Sequence, residues 1–314
     1  MPSWPAFSFW LPEIPVAISS VNLRPLSSLA EYHACTQLQE EVWGHGFSER
    51  VSAAILMIAN RLGGLTAGAF DDAGNLQGFV FGLTGQMDGE LVHWSDMLAV
   101  SREVRDQGLG TRLKRYQREV LLGRGIRRMN WTFDPLQGRN AYVNFSKLGI
   151  VSREYVQDMY GDTDSPLHRG VGTDRLVAVW EMDSGRVRRR LAGEEGSAGM
   201  DEIRGLPRVL GVEEEGGLPA PGNPVLDITD RRILLNVPGE IDAIMDRDLP
   251  LAIRWRGATR EPFLHYLTRG YEVREFVREG GVSGYVLEHS GFEEADSGEA
   301  EKGEAAAEQP GESR

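Results

Sequence analysis

Arg105-Asp106-Gln107-Gly108-Leu109-Gly110-Thr111 is the stretch on which the reading of this 314-residue chain turns. It follows Met97-Leu98-Ala99-Val100, which ends a strand pattern, and opens a helical one running from about Leu109 to Leu122. A strand that runs into a glycine-punctuated loop and then a helix aims several unpaired backbone N–H groups at one spot. Such a spot attracts phosphate, and Gly108 and Gly110 remove side chains where the backbone must come close to the anion. Two other phosphate loops are excluded. The Walker pattern ends in Gly-Lys-Ser/Thr, absent here, and the dinucleotide fingerprint requires Gly or Ala where Leu113 stands. Taken alone, the hexapeptide reads better as a structural helix start.

Working outward, Val21 and Leu23 alternate in a short strand. From Ser27 the residues Leu29, Tyr32, Cys35, Leu38 and Val42 recur at helical spacing. A second amphipathic stretch spans about 48 to 62 and stops at Gly63-Gly64. Strands are expected at 65–71, 76–84 and 91–100, the first two joined by the turn cluster Asp71-Asp72-Ala73-Gly74-Asn75. Beyond the loop the pattern predicts a strand at Arg128 to Phe133, a helix from about Gly138 to Lys147, a strand after Gly149 and another at Leu176 to Glu181. The expected fold class is α/β, with a mixed, mostly antiparallel sheet flanked by helices.

The loop gains meaning from its neighbours. Asn140-Ala141-Tyr142-Val143-Asn144-Phe145-Ser146-Lys147-Leu148-Gly149-Ile150 resembles the Asn-Ala-x-x-x-Tyr-x-Lys-x-Gly-Phe helix of the GCN5-related N-acetyltransferase (GNAT) superfamily. The hexapeptide is similar to that family's Arg/Gln-x-x-Gly-x-Gly/Ala signature, which cradles the CoA pyrophosphate. The resemblance covers residues 20–182. It implies an enzyme that moves an acyl group from CoA to an amine by direct attack, with the pantetheine arm lying where the fourth and fifth strands splay apart. Leu98, Ala99, Val100, Arg105, Asp106, Gln107, Gly108, Leu109, Gly110, Thr111, Asn140, Asn144 and Lys147 are then the expected cofactor contacts. The block Asn130 to Asn140, with Trp255-Arg256-x-x-Thr259-Arg260, is similar to a GNAT subgroup associated with amino-acid N-succinylation. That resemblance implies acetyl-CoA or succinyl-CoA as donor and an amino acid as acceptor.

Deprotonating an ammonium of pKa about 10 calls for a base near the end of the fourth strand. Asp96 is the best-placed carboxylate and His93 the alternative; a structural role for either is the competing reading. By the two-residue period Asp96 shares a face with Trp94, Leu98 and Val100, and His93 faces oppositely with Ser95 and Met97. The family's tyrosine acid is replaced by Phe145, leaving Tyr142, one turn earlier, as the candidate substitute, with Asn144 or a water as the other ways to support the sulfur. Trp94, Asp134, Arg139, Arg256 and Arg260 are the expected substrate contacts, the arginines for a carboxylate and Asp134 for an ammonium. Surface or inter-domain ion pairs are the other reading of those arginines.

Composition narrows the partners. Of the formal charge of -13, the stretch from Phe292 on supplies eight carboxylates against Lys302 and Arg314, so the remainder is only mildly acidic. That argues against a nucleic-acid binder with a broad basic surface. Cys35, the single cysteine, excludes an intrachain disulfide and a thiolate metal cluster, and reads as a buried small hydrophobe. No metal, no membrane and a cytoplasmic location are expected, with a small-molecule amine as partner; a homodimer is one assembly open to it.

The chain divides on this reading into a proline-rich arm (1–19), the acyltransferase domain (20–183), a linker (184–223), a smaller C-terminal α/β region (224–290) and a disordered acidic tail (291–314). Arg139 to Val156 (RNAYVNFSKLGIVSREYV) aligns without gaps with Arg260 to Val277 (REPFLHYLTRGYEVREFV), sharing Arg139/Arg260, Gly149/Gly270, Arg153/Arg274, Glu154/Glu275 and Val156/Val277. The C-terminal region is thus either a degenerate half-repeat of the first or a chance reuse of helix-Gly-strand geometry. Two other functions stay open: acetylation of a protein N-terminus or lysine, and a CoA-binding regulatory module without catalysis.

Overall fold

The computed structural model describes residues 21–45, 47–161, 170–196, 200–279 and 282–291. The arm at 1–19 and nearly all of the acidic tail lie outside the described residues. Strand β1 (Asn22–Pro25) leads to helices α1 (Leu29–Trp43) and α2 (Ala53–Arg61), then to the meander β2 (Leu65–Phe70), β3 (Leu76–Met87) and β4 (Glu90–Val100). Helix α3 (Leu109–Gly123), β5 (Arg128–Phe133), α4 (Gly138–Tyr142), β6 (Val151–Val156) and β7 (Arg175–Glu181) follow. This is the order that the resemblance implies.

Local chemistry explains the starts and stops. Ser28 caps α1 by accepting from the Glu31 N–H, and Glu31 returns the bond to the cap backbone while pairing with Arg24 at 2.7 Å. α3 starts at Gly108, which takes φ +84° and offers no side-chain cap. α4 does not end at Tyr142 but continues as a π-helical turn, Val143–Leu148, stopped by Gly149 at φ +74°.

The stretch 184–223, read above as a linker, carries α5 (Gly185–Ala192), α6 (Met200–Arg204), β8 (Arg208–Glu215) and β9 (Leu218–Pro224). Pro219, Pro221 and Pro224 lie in β9, which ends the sheet order and so has a free side on which a missing N–H costs nothing. Then come β10 (Arg232–Pro238), α7 (Ile241–Arg247), α8 (Leu249–Leu267), β11 (Tyr271–Glu279) and β12 (Val282–His289). The twelve strands among the described residues form one sheet, β1-β2-β3-β4-β5-β7-β6-β11-β12-β10-β8-β9.

The centre of that sheet is a pseudo-two-fold. Reading outward from the β6·β11 contact, β6-β7-β5-β4 is matched by β11-β12-β10-β8, antiparallel at the first two pairings and parallel at the third on both sides. The residues that meet across the axis, Ser152 and Val273, occupy equivalent places in the gap-free alignment. Both copies skip register at the equivalent arginine, between Ser152 and Glu154 and between Val273 and Glu275. Gly149 and Gly270 both take positive φ. A chance likeness of sequence would not place bulge, glycine and axis at the same alignment positions.

One apolar core crosses the axis and joins Trp131, Phe133, Phe145 and Trp180 to Trp255, Phe263, Phe276 and Tyr285. Polar ties cross it too: Tyr285 Oη donates to the Pro135 carbonyl at 2.7 Å and Ser146 Oγ to the Phe276 carbonyl at 3.1 Å. The two halves are one packed body.

Candidate active site

β4 and β5 run parallel and pair only at Val92/Arg128, His93/Met129 and Trp94/Asn130. From Ser95 to Val100 the β5-facing edge of β4 has no strand partner, although its other edge stays on β3. The strands part because Asp96 is a bulge: Phe81 pairs with Met97 and Gly82 with Ser95, so Asp96 has no opposite number. The bulge also shifts the side-chain alternation. His93 and Ser95 contact Gln117 of α3, Leu98 and Val100 pack in the α3 cluster, and Met97 and Ala99 join the α1/α2 core. A strict two-residue period, which put Leu98 and Val100 opposite His93, therefore fails at this one residue.

The parted strands open a cleft of about 1150 Å³ with the glycine loop at one end. Asp96, Leu98, Val100, Arg105, Asp106, Gly108, Leu109, Gly110, Thr111, Asp134, Arg139, Asn140, Tyr142 and Asn144 all line it. A Cβ on Gly108 would meet only open space, and the first turn of α3 presents its N–H groups there without a side-chain cap. Asp106 takes φ +60° and contacts Arg139 across the cleft mouth at 3.5 Å. Asn144 is buried, lines the cleft and leaves Nδ2 without a partner. An orphan amide, an unpaired strand edge and an uncapped helix start are what an arm of amides ending in phosphates needs, so these residues fit CoA.

Several expected residues lie elsewhere. Ala99 points its side chain into the core, so only its main chain is available, and Gln107 is turned back on the Glu103 carbonyl at 3.4 Å. Lys147 is exposed, 5.5 Å over the Tyr142 ring, and neither it nor Trp94 lines the cleft.

His93 is fully buried in a directional hydrogen-bond chain. Ser95 Oγ donates to Gln117 Oε1 (3.0 Å) and Gln117 Nε2 to His93 Nε2 (3.0 Å). That places the ring proton on Nδ1, which donates to Thr84 Oγ1 at 3.0 Å, and Thr84 donates to the Gly63 carbonyl. Burial, with Lys114 and Arg124 nearby, pulls His93 down to about 3. It is a neutral structural link and not a base.

Arg256 and Arg260 also leave the substrate list. Arg256 is 3% exposed, and its Nη2 holds Asp134 Oδ2 at 2.7 Å while Nε donates to the Val171 carbonyl. Arg260 grips Asp174 with two bonds of 2.7 Å, and Tyr155 Oη donates to the same carboxylate. These arginines on α8 tie the C-terminal half to β5, β6 and β7. Asp134 is bound through one oxygen by Arg256 and through the other by the Leu136 N–H at 2.8 Å, so its charge is already paired within the protein.

Arg256→Met should therefore lower the unfolding free energy by about 3–5 kcal/mol, because it strands a partly buried carboxylate. Denaturant unfolding and CoA titration should show lost stability with unchanged CoA affinity. A substrate role predicts unchanged stability and a raised KM for the acceptor or the succinyl donor.

The cleft wall holds residues that sequence did not flag. Glu49, Trp43 and Phe47 flank Asp96 on the α1/α2 side, the two rings stacked at 5.4 Å. Arg175 of β7 lies beside Thr132 and Tyr160, its guanidinium 5.2 Å over the Tyr160 ring and 3.9 Å from Asp134. The C-terminal half adds Asp242, Met245 and Arg278. Recession between the cleft walls, and the charge of Glu49, raise the Asp96 pKa although water reaches the residue.

No protein-family model and no curated protein matches the chain. Solved structures do. The ribosomal-protein-S18-alanine N-acetyltransferase from Escherichia coli is 15% identical, over 52% of this chain and 96% of that one, with a TM-score of 0.42. Aminoglycoside 6'-acetyltransferase type Ii is 16% identical over 52% and 98%, also at 0.42. A chain of the NatC complex bound to Gag peptide and CoA gives 15%, 52%, 98% and 0.42. At such scores the likeness carries no weight by itself, and the chemistry follows from the cleft. Among the described residues no helix is long and apolar enough to cross a membrane, and no group of three His, Cys, Asp or Glu gathers for a metal.

Proposed function

We propose that this protein transfers an acyl group from a CoA thioester to the amine of a small molecule, an amino acid being the acceptor class. The observation that carries the reading is the parting of β4 from β5 beyond Trp94 and Asn130, with the uncapped start of α3 at the far end of the gap. The loop from Arg105 to Thr111 would hold the phosphates, the free edge of β4 and Asn140 the arm's amides, and Asn144 Nδ2 the thioester end. CoA supplies the activated acyl group.

Asp96 is the base. Its raised pKa keeps it a stronger proton acceptor than an ordinary carboxylate, and Glu49 beside it gives a cationic amine a second negative charge to approach. Trp43 and Phe47 offer that cation an aromatic wall. Arg175, with Thr132 and Tyr160, takes the carboxylate role expected of Arg256 and Arg260: it would hold the acceptor's carboxylate or the terminal carboxylate of a succinyl donor. Asp242, Met245 and Arg278 of the C-terminal half add a further wall to the cleft, and an enclosed cleft suits a metabolite better than a polypeptide.

Thiol release from acetyl-CoA and succinyl-CoA against a panel of amino acids, simple amines and N-terminal peptides tests this. Turnover with an amino acid supports it. CoA binding without turnover on any amine would instead identify a regulatory module, and turnover confined to peptides a protein acetyltransferase.

A further inference from the structure

Lys114 is the one residue of α3 whose charge is carried inward. It lies on the buried stripe with Leu113, Gln117 and Leu121, and only 7% of it is exposed. A buried ammonium is normally matched by a carboxylate. Here, among the described residues, none pairs with it, and the neighbours of Nζ are Ser95 Oγ at 2.7 Å, Met129 Sδ at 3.9 Å and the Trp131 ring at 4.0 Å. Ser95 has already committed its own proton to Gln117, so it can only accept from Lys114. Every donor in the chain from Ser95 through Gln117 and His93 to Thr84 points away from the amine. The chain fixes Nζ in place and supplies no negative charge.

The remaining side of Lys114 is the cleft. Lys114, Ser95 and Trp131 line its closed end, where β4 and β5 come together, whereas the phosphate loop lies past Val100 at the other end of the unpaired edge. That edge is about 17 Å long at ~3.3 Å per residue. A ligand anchored by its phosphates at the loop and laid along β4 brings its acyl end toward Lys114. The position where the family places a tyrosine cannot serve: Phe145 has no hydroxyl and is fully buried between Phe133 and Tyr285.

We propose that Lys114 is a catalytic proton donor, whose ammonium protonates the thiolate released by acyl transfer. The role rests on the acyl-transfer reading above. In the step, the attacking nitrogen forms a C–N bond to the acyl carbon, the C–S bond breaks with its electron pair staying on sulfur, an N–H bond of Lys114 breaks and an S–H bond forms. The proton lost by the attacking nitrogen goes to Asp96, which releases it to solvent, and the Lys114 amine takes one proton back from solvent through the cleft. Burial lowers Lys114 to about 7, beneath the ~8.5 of a free thiol, so the ammonium is present at neutral pH yet acidic enough to protonate a thiolate. Of the groups around it, His93 is neutral, with Arg124 beyond it, Met129 and Trp131 carry no charge, and the carboxylate of Asp96, next to Ser95 along β4, favours the ammonium form.

The test uses the full-length protein and Lys114→Met, with Lys114→Gln as a second variant. Turnover of the CoA thioester should fall about a hundredfold. Turnover of the matching aryl thioester, whose thiolate leaves without a proton, should stay within threefold of wild type, as should CoA affinity. In the wild type, kcat should fall as pH rises through about 7, and that limb should vanish in both variants. A readout independent of turnover is trace amine labelling of the unliganded protein, in which Lys114 should titrate near the same pH and be shielded by CoA. Equal losses on both thioesters, a tenfold loss of CoA affinity, or stoichiometric acylation of Lys114 by the donor would each overturn the role. If the wild type neither binds CoA nor releases thiol, the acyl-transfer reading fails and the role with it; wild-type turnover confines any failure to Lys114.

Discussion

Gly108→Asp is expected to weaken CoA binding about a thousandfold while leaving the protein folded. Gly108 sits at φ +84°, and a side chain there would enter the open cleft at the start of α3. A carboxylate at ~4 Å from a phosphate costs about 4 kcal/mol per charge pair at the effective dielectric of a protein surface, which is about three decades of affinity. The left-handed backbone adds only about 1–2 kcal/mol of strain, and aspartate tolerates that region, as Asp106 does two residues earlier at φ +60°. Calorimetric titration with CoA, paired with thermal unfolding, measures both terms. A dissociation constant within threefold of wild type in the folded variant would remove the loop as the phosphate site.

The second large effect is on the base. Asp96→Asn should reduce kcat by about 10²–10⁴ and leave CoA affinity unchanged, because the amide cannot take the proton while filling the same space. The pH dependence has a definite sign. Recession in the cleft and the Glu49 charge raise the Asp96 pKa, so the rate should climb with pH through a value above the ordinary ~3.9. Glu49→Gln removes a repelling charge, lowers that pKa and moves the limb to lower pH. Linkage runs the same way: a carboxylate whose folded pKa is raised destabilises the fold at pH values above its unfolded pKa. Asp96→Asn should therefore not lower, and is expected to raise, the melting temperature at pH 7. A variant that is both inactive and less stable would mark Asp96 as structural.

What sequence makes legible here is local. Glycine turns, helix caps and strand periods depend on a few neighbouring residues, so the meander, the strand-glycine loop-helix turn at Gly108 and the helix-glycine-strand unit could be read directly. The bulge at Asp96 could not, since a single unpaired residue is invisible until the partner strand is known, and it reverses the face of everything after it. Arg256 and Arg260 looked like ligand residues because their partners, Asp134 and Asp174, lie 122 and 86 positions away. The prolines that suggested a linker are prolines of an edge strand.

Lys114 was missed because a helical lysine ordinarily faces water. A signal existed: Gly110, Lys114, Gln117 and Leu121 follow the i, i+4, i+7, i+11 spacing of an inward stripe. Two polar residues on such a stripe mark a buried polar site.

The pseudo-two-fold has a consequence for synthesis. β5, β6 and β7 are made more than fifty residues before β10, β11 and β12, yet Phe133 and Phe145 share their packing with Phe263, Phe276 and Tyr285. A nascent chain ending near residue 183 exposes on the ribosome the apolar surface and strand edge that the second half later covers. Folding of the first half must then wait for the chain to be almost complete, leaving a long interval in which a chaperone, or the β6 edge of another nascent chain, can bind first.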